Sequence, residues 1–170
     1  MMAVCFAPPI AYAELPASTQ AKADAGKKKL VEWAANADIV AVVKEANPKN
    51  GLPGMSNGKW DEVGDKDPMV LALSSGKAGA LLKKWETENK TFNKLVLRDV
   101  NSFVIAATVK PLVYKNAARP VFINAMKGQA WTESEIKPDP TTQVKSVQAS
   151  APVLDGGKVI GVLHAGISVE

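Results

Sequence analysis

The stretch VKSVQASAPVLDGGKVIGVLHAGISV, residues 144–169, decides the fold. Two β-rich runs, 144–154 and 159–169, flank Asp155-Gly156-Gly157-Lys158, and paired glycines supply the positive φ angles of a tight hairpin turn. A long-armed antiparallel hairpin is predicted. Its second arm carries the only histidine of the chain, His164, between Leu163 and Ala165. Which face His164 takes depends on register, because a slip of one residue turns every side chain to the other side. A two-residue loop sets His164 opposite Ala149, and a three-residue loop sets it opposite Ser150.

Upstream, Pro138-Asp139-Pro140 reads as a turn and residues 131–136 as a short strand. Residues 110–128 read as a loop leading into a helix, with Arg119 ahead of Pro120 at the first turn. Two further β-rich runs, 95–100 and 103–108, are separated by Asn101-Ser102, a hairpin signal in which Ser stands where Gly suits the turn best.

Before residue 91 the period is helical. Leu30, Trp33, Ala34, Ala37 and Ala41 make one apolar stripe. A break near Asn36 is expected, with Asp38 capping a second short helix that carries Ile39, Val42 and Val43 and ends at Asn47-Pro48. Residues 47–67 collect Gly51, Pro53, Gly54, Asn57, Gly58 and Gly64, which is loop chemistry, with Trp60 pinning the loop to the body. Asp67-Pro68 opens a further helix whose inward face is Leu81, Leu82 and Trp85 and which ends near Lys90. Helices first and strands later give an α+β fold with an antiparallel sheet.

The chain has 170 residues, 46% of them hydrophobic, which suits one core and one domain. That domain is expected over 14–170, mainly helical over 14–90 and mainly sheet over 91–170. Residues 1–13 are apolar and end in Ala11-Tyr12-Ala13, a small-x-small cleavage signal. They read as a signal peptide, although no Lys or Arg precedes the apolar run and Pro8-Pro9 interrupts it. The mature protein is then periplasmic or secreted. No other stretch approaches the ~20 apolar residues of a membrane span, so no transmembrane segment is expected.

Several function classes fall away on composition. The 21 basic and 17 acidic side chains give +4, but the lysines are scattered and aromatics are only 6%, unlike the stripes of a nucleic-acid binder. With one cysteine, Cys5, and one histidine, neither a zinc site nor a disulfide is supported. Ser75-Gly76-Lys77-Ala78 lacks the upstream glycine and following Ser/Thr of a phosphate loop, and Gly156, Gly157 and Gly161 open no helix. Asp61, Glu62, Asp65 and Asp67 miss calcium-loop spacing. Glu133 and Glu135 share one face of a short strand, read as exposed. No serine sits in G-x-S-x-G, and His164 has no partner identifiable by spacing. The reading is a protein without cofactor or metal, and not an enzyme.

The order of parts resembles the Cache (PDC) extracytoplasmic sensor domains. The resemblance rests on residues 97–108 (LRDVNSFVIAAT), on SAPVL (150–154) and on GGKVIGVL (156–163). Between them Tyr114, Arg119, Pro120, Phe122, Ala125 and Gly128 keep the spacing of the family segment Y-x4-R-P-W-Y-x2-A-x2-G. The resemblance implies a PAS-like antiparallel sheet of about five strands after the long N-terminal helix and helical first half. It implies a small-molecule pocket lined by that segment. In amino-acid-binding relatives the Arg, Trp and Tyr hold a carboxylate, and another Tyr and an Asp hold the ammonium. Here Val121 stands for the Trp and Phe122 for the Tyr, and no counterpart of the Asp is identified.

Read physically, a guanidinium at a helix start, beside unpaired backbone N–H groups, favours an anion through bidentate hydrogen bonds. Arg119 is therefore the expected anchor for a small carboxylate, with Tyr114, Phe122, Trp131, Gln148, Ser150 and His164 as further pocket candidates. Cache sensors continue into a membrane helix and an output module, whereas this sequence stops at Glu170 after its last strand. Report to a separate membrane receptor or kinase, or simple sequestration of the ligand, is the expected arrangement. The alternative is a structural or interaction protein that keeps the Cache scaffold with a degenerate pocket.

Overall fold

The computed structural model describes residues 15–170, so the expected signal peptide lies outside the described residues. Two helices open the fold, α1 (Ala17–Ala34) and α2 (Ala37–Ala46). The break falls where expected, but its cap is Asn36 and not Asp38. The Asn36 carboxamide oxygen accepts from the backbone N–H of Asp38 at 2.9 Å and of Ile39 at 3.4 Å. Ala23, Gly26, Leu30, Trp33 and Ala34 form the buried stripe of α1. Trp33 stacks on Trp85 with ring centroids 4.9 Å apart and planes 2° from parallel.

Residues 47–67, expected as loop throughout, contain a 3-10 turn (Asn47–Lys49) and a short helix, α3 (Asn57–Glu62). Ser56 caps α3 by accepting from Lys59 N–H. Trp60 on α3 is fully buried and its Nε1 donates to the Pro111 carbonyl at 2.8 Å, so the expected pinning is present. The helix after Asp67 is two helices, α4 (Pro68–Ser75) and α5 (Lys77–Glu88). Asp67 caps the first, as read from the sequence. They meet so closely that a Cβ at Gly79 would overlap the Leu73 carbonyl.

The strands are β1 (Phe92–Asp99), β2 (Val104–Ala107), β3 (Trp131–Thr132), β4 (Lys137–Pro138), β5 (Lys145–Asp155) and β6 (Lys158–Ser168), with α6 (Pro120–Met126) before β3. All pairings are antiparallel, in the order β2-β1-β6-β5-β3, with β4 also on β5. The predicted α+β class is observed, with six strands in place of about five. Of the strand expected over 131–136 only Trp131–Thr132 forms, and Pro138 belongs to β4, beyond that range, rather than to the turn.

The long hairpin combines both registers considered from the sequence. Its turn is two residues, Gly156 and Gly157, at φ 56° and 84°, and Asp155 pairs with Lys158. A bulge between Val153 and Leu154 then shifts the ladder by one, so His164 faces Ser150 and not Ala149. One face of the sheet, with Leu95, Leu97, Ala149, Ala151, Leu163, Ala165 and Ile167, packs under α1, α2 and α5 as the main core. The opposite face carries the row Val96, His164, Ser150, Trp131 and the row Lys94, Gly166, Gln148.

Candidate functional site

The second face of the sheet owes its chemistry to charged residues placed where strands usually hold apolar ones. Lys94, Val96 and Arg98 alternate with Leu95 and Leu97, so a strand that gives its odd positions to the core aims two cations at the other side.

Arg98 is 1% exposed. Its Nη1 donates to the carbonyls of Ser102 (2.9 Å) and Tyr114 (2.8 Å), its Nη2 to that of Val113 (3.0 Å), and its Nε to His164 Nε2 (3.1 Å). The β1–β2 turn sets this up. Asp99 Oδ1 accepts from Asn101 N–H (2.9 Å) and Phe103 N–H (2.8 Å), and Ser102 takes a left-handed φ of 73°. Four of the five guanidinium N–H groups are used, which leaves one on Nη2. All four partners are neutral, and among the described residues no carboxylate lies within ion-pair distance. Burial, partly offset by Asp99, pushes the Arg98 pKa down to about 9, so the side chain is a buried, uncompensated cation at neutral pH.

His164 accepts at Nε2, so its proton is on Nδ1, and that nitrogen is buried without a partner. Burial, reinforced by Arg98 and Lys94, holds the imidazole well below its ordinary pKa, in the neutral form. The hydroxyl of its cross-strand neighbour Ser150 is also buried and unpartnered. Lys94 forms a buried ion pair with Asp139 at 2.5 Å. Burial alone would raise the Asp139 pKa, but the Lys94 ammonium and the N–H groups of Thr141 and Thr142 outweigh it and keep the carboxyl ionised.

Above these residues lies a cavity of about 230 Å³. Its floor is Lys94, Val96, Arg98, Gln148 and His164, its walls include Val113, Asn116, Val121 and Trp131, and Arg119, Glu133 and Lys137 stand around it. Arg119 is the N-cap residue of α6, exposed, and without an ion pair among the described residues. Lys137 is held by Glu133 and Glu135, both at 2.8 Å. The Asn116 carboxamide oxygen is buried and unpartnered in the wall.

Of the residues singled out from the sequence, Arg119, Trp131, Gln148 and His164 border this cavity. Tyr114, Phe122 and Ser150 do not. Tyr114 is buried against Trp60 and Phe103, and its hydroxyl accepts from Leu52 N–H at 2.6 Å. Phe122 turns the inner side of α6 onto Val162. Ser150 lies beneath, between Trp131 and His164 in the sheet row. Sequence reasoning missed Lys94, Arg98, Asn116 and Asp139. The signal for the first two was present: two cations four residues apart on the alternating face of a run whose other face is Leu95 and Leu97.

A second, wider groove of about 580 Å³ runs beside the first, lined by Leu71, Thr108, Val109 and Leu112 and sharing Pro111, Leu112, Pro140 and Thr141 with the cavity. Among the described residues no helix is long and apolar enough to cross a membrane, and no group of three or more His, Cys, Asp and Glu side chains is placed to hold a metal ion.

No protein-family model matches the chain. No curated protein matches it either. Solved structures similar to it include the sensor domain of the histidine kinase DctB of V. cholerae, at 16% identity and TM-score 0.46 over 89% of this chain and 57% of that one. The ligand-binding domain of the Pseudomonas aeruginosa amino-acid chemoreceptor PctC, in complex with GABA, is 14% identical with TM-score 0.46 over 90% of this chain and 57% of that one. The E. coli DcuS sensor domain is 12% identical with TM-score 0.43 over 76% of this chain and 92% of that one. The chain spans less than three fifths of the length of the DctB and PctC chains.

Proposed function

We propose that this protein is an extracytoplasmic sensor module that binds a small carboxylate, or a similar anion, in the cavity over the sheet and acts with a separate transducing partner, without turnover. The observation that carries the reading is the pair of guanidiniums at one cavity, Arg98 and Arg119, neither of which has a carboxylate partner among the described residues. A buried cation without a counter-charge is costly, and a planar anion offers the bidentate geometry that suits the guanidinium of Arg119, which lines the cavity. The volume of about 230 Å³ corresponds to roughly seven or eight water-sized groups at ~30 Å³ each, which suits a small metabolite. The imidazole of His164 accepts from Arg98 through Nε2, so no ring nitrogen is left as a base for the neighbouring Ser150 hydroxyl, which supports binding over catalysis.

The second reading, an interaction protein on the same scaffold, is favoured by the exposed apolar residues Leu71 and Leu112 (52% and 48% exposed) at the wider groove. A degenerate pocket would be filled by side chains, and the open cavity supports the first reading instead. Thermal-shift screening against carboxylates, amines, amino acids and purines separates the two. A carboxylate at about 100 times its Kd adds roughly 2.7 kcal/mol of stability, and Arg119→Ala is expected to abolish the shift. If no small molecule in a broad panel raises the melting temperature, the interaction reading replaces the sensor reading.

A further inference from the structure

Asp139 is 0% exposed and lies immediately behind the cavity floor, where every acceptor position of its carboxylate is occupied. Oδ1 accepts from the backbone N–H of Thr141 (2.8 Å) and Thr142 (3.0 Å). Oδ2 accepts from Gln148 Nε2 (2.8 Å) and Lys94 Nζ (2.5 Å). A carboxylate offers about four such positions, so none remains for a ligand. Three of these four donors belong to the scaffold, two backbone amides and a carboxamide. The fourth is an ammonium on a flexible stem that itself forms part of the cavity floor. The sheet makes room for it: the residue between Lys94 and Gln148 in their row is Gly166, where a Cβ would lie 3.1 Å from Asp139 Oδ2. The other carboxylate lining the cavity, Glu133, is engaged by Lys137.

An incoming ammonium therefore meets Arg98 and Arg119, and both carboxylates at the cavity, Asp139 and Glu133, are already paired with a lysine. Resting on the anion reading above, we infer that Lys94 occupies the position a ligand ammonium would take, so that the cavity selects carboxylates without an amino group, and that Asp139 is a latent ammonium site. Lys94 is then the residue that sets the ligand class. Removing its side chain down to an apolar stem opens a path from the cavity to a buried carboxylate that keeps its three other donors.

The test is calorimetric titration of the full chain with matched pairs, propionate against alanine and succinate against aspartate, and with ethylamine. Wild-type protein is expected to prefer the amino-free member of each pair by about tenfold or more, the factor of one charge-assisted hydrogen bond. Lys94→Met is expected to lose or reverse that preference and to gain saturable ethylamine binding. The double variant Lys94→Met/Asp139→Asn removes both charges and is expected to fold without that gain. Equal wild-type affinity within each pair overturns the inference, and this comparison stands even where Lys94→Met fails to fold. A folded Lys94→Met that gains no affinity for ethylamine or alanine also overturns it. Wild-type protein that binds no carboxylate, together with a Lys94→Met variant that binds ethylamine, overturns the proposed function and leaves the latent site standing.

Discussion

Arg98 Nε donates to His164 Nε2 at 3.1 Å, and this bond fixes the protonation of both residues. The donor always carries its proton, so the imidazole must accept, and its own proton sits on Nδ1.

A pH dependence follows. In the unfolded chain His164 gains a proton as pH falls through about 6.5. In the folded chain burial, Arg98 and Lys94 hold its pKa well below that value. The unfolded state therefore binds more protons below pH 6.5, and stability contributed by neutral His164 is complete above 6.5 and is lost as pH falls from there toward the folded pKa. Glu86 and Asp99, both raised mainly by burial, titrate in the opposite sense, but they do so in any His164 variant as well. The melting temperature of wild-type protein is expected to fall more than that of His164→Gln between pH 6.5 and 5. Parallel curves would contradict the assignment.

The two arginines should separate in stability. Arg98→Met leaves the carbonyls of Ser102 and Val113 without their Arg98 donor and that of Tyr114 with only the Val104 N–H, and a loss of about 3–5 kcal/mol is expected. Arg119→Ala touches an exposed side chain and is expected to change stability by no more than about 0.5 kcal/mol. Urea unfolding of the unliganded variants measures both.

Ser102 offers a gain. It sits at φ 73°, in the left-handed region, with a buried hydroxyl that has no partner. Ser102→Gly removes both penalties and is expected to stabilise by about 1 kcal/mol. Urea unfolding in which the variant is no more stable than wild type would show that the turn is unstrained.

Gly161 marks the approach of α2 to the sheet. A Cβ there would meet the Arg98 carbonyl at 2.5 Å and Val43 Cγ1 at 2.8 Å. Gly161→Ala is expected to cost about 2 kcal/mol through displaced backbone, read as a lowered midpoint in urea with an unchanged slope.

The fold was legible where local chemistry decides it. Gly156-Gly157 specifies the hairpin turn, Asp67 caps a helix start, the break near Asn36 was read although the cap was given to Asp38, and the shift from helical to alternating period marks the sheet. The register of His164 was not legible, because the bulge between Val153 and Leu154 has no compositional mark. The site was half legible. Arg119 was visible as a cation before Pro120, whereas Arg98 read as a strand residue whose partners come from residues 102, 113 and 114. Asp139 read as a turn residue because Pro138 and Pro140 flank it, and its tie to Lys94 spans 45 positions of sequence that no local pattern reports.

The most direct measurement is a crystal structure of the protein with the carboxylate that gives the largest thermal shift. The ligand carboxylate is expected in the cavity over β1 and β6, hydrogen-bonded to Arg119 and within reach of the remaining N–H on Arg98 Nη2. A ligand seated in the groove beside Leu71 and Leu112, or held in the cavity with neither guanidinium in contact, would contradict it.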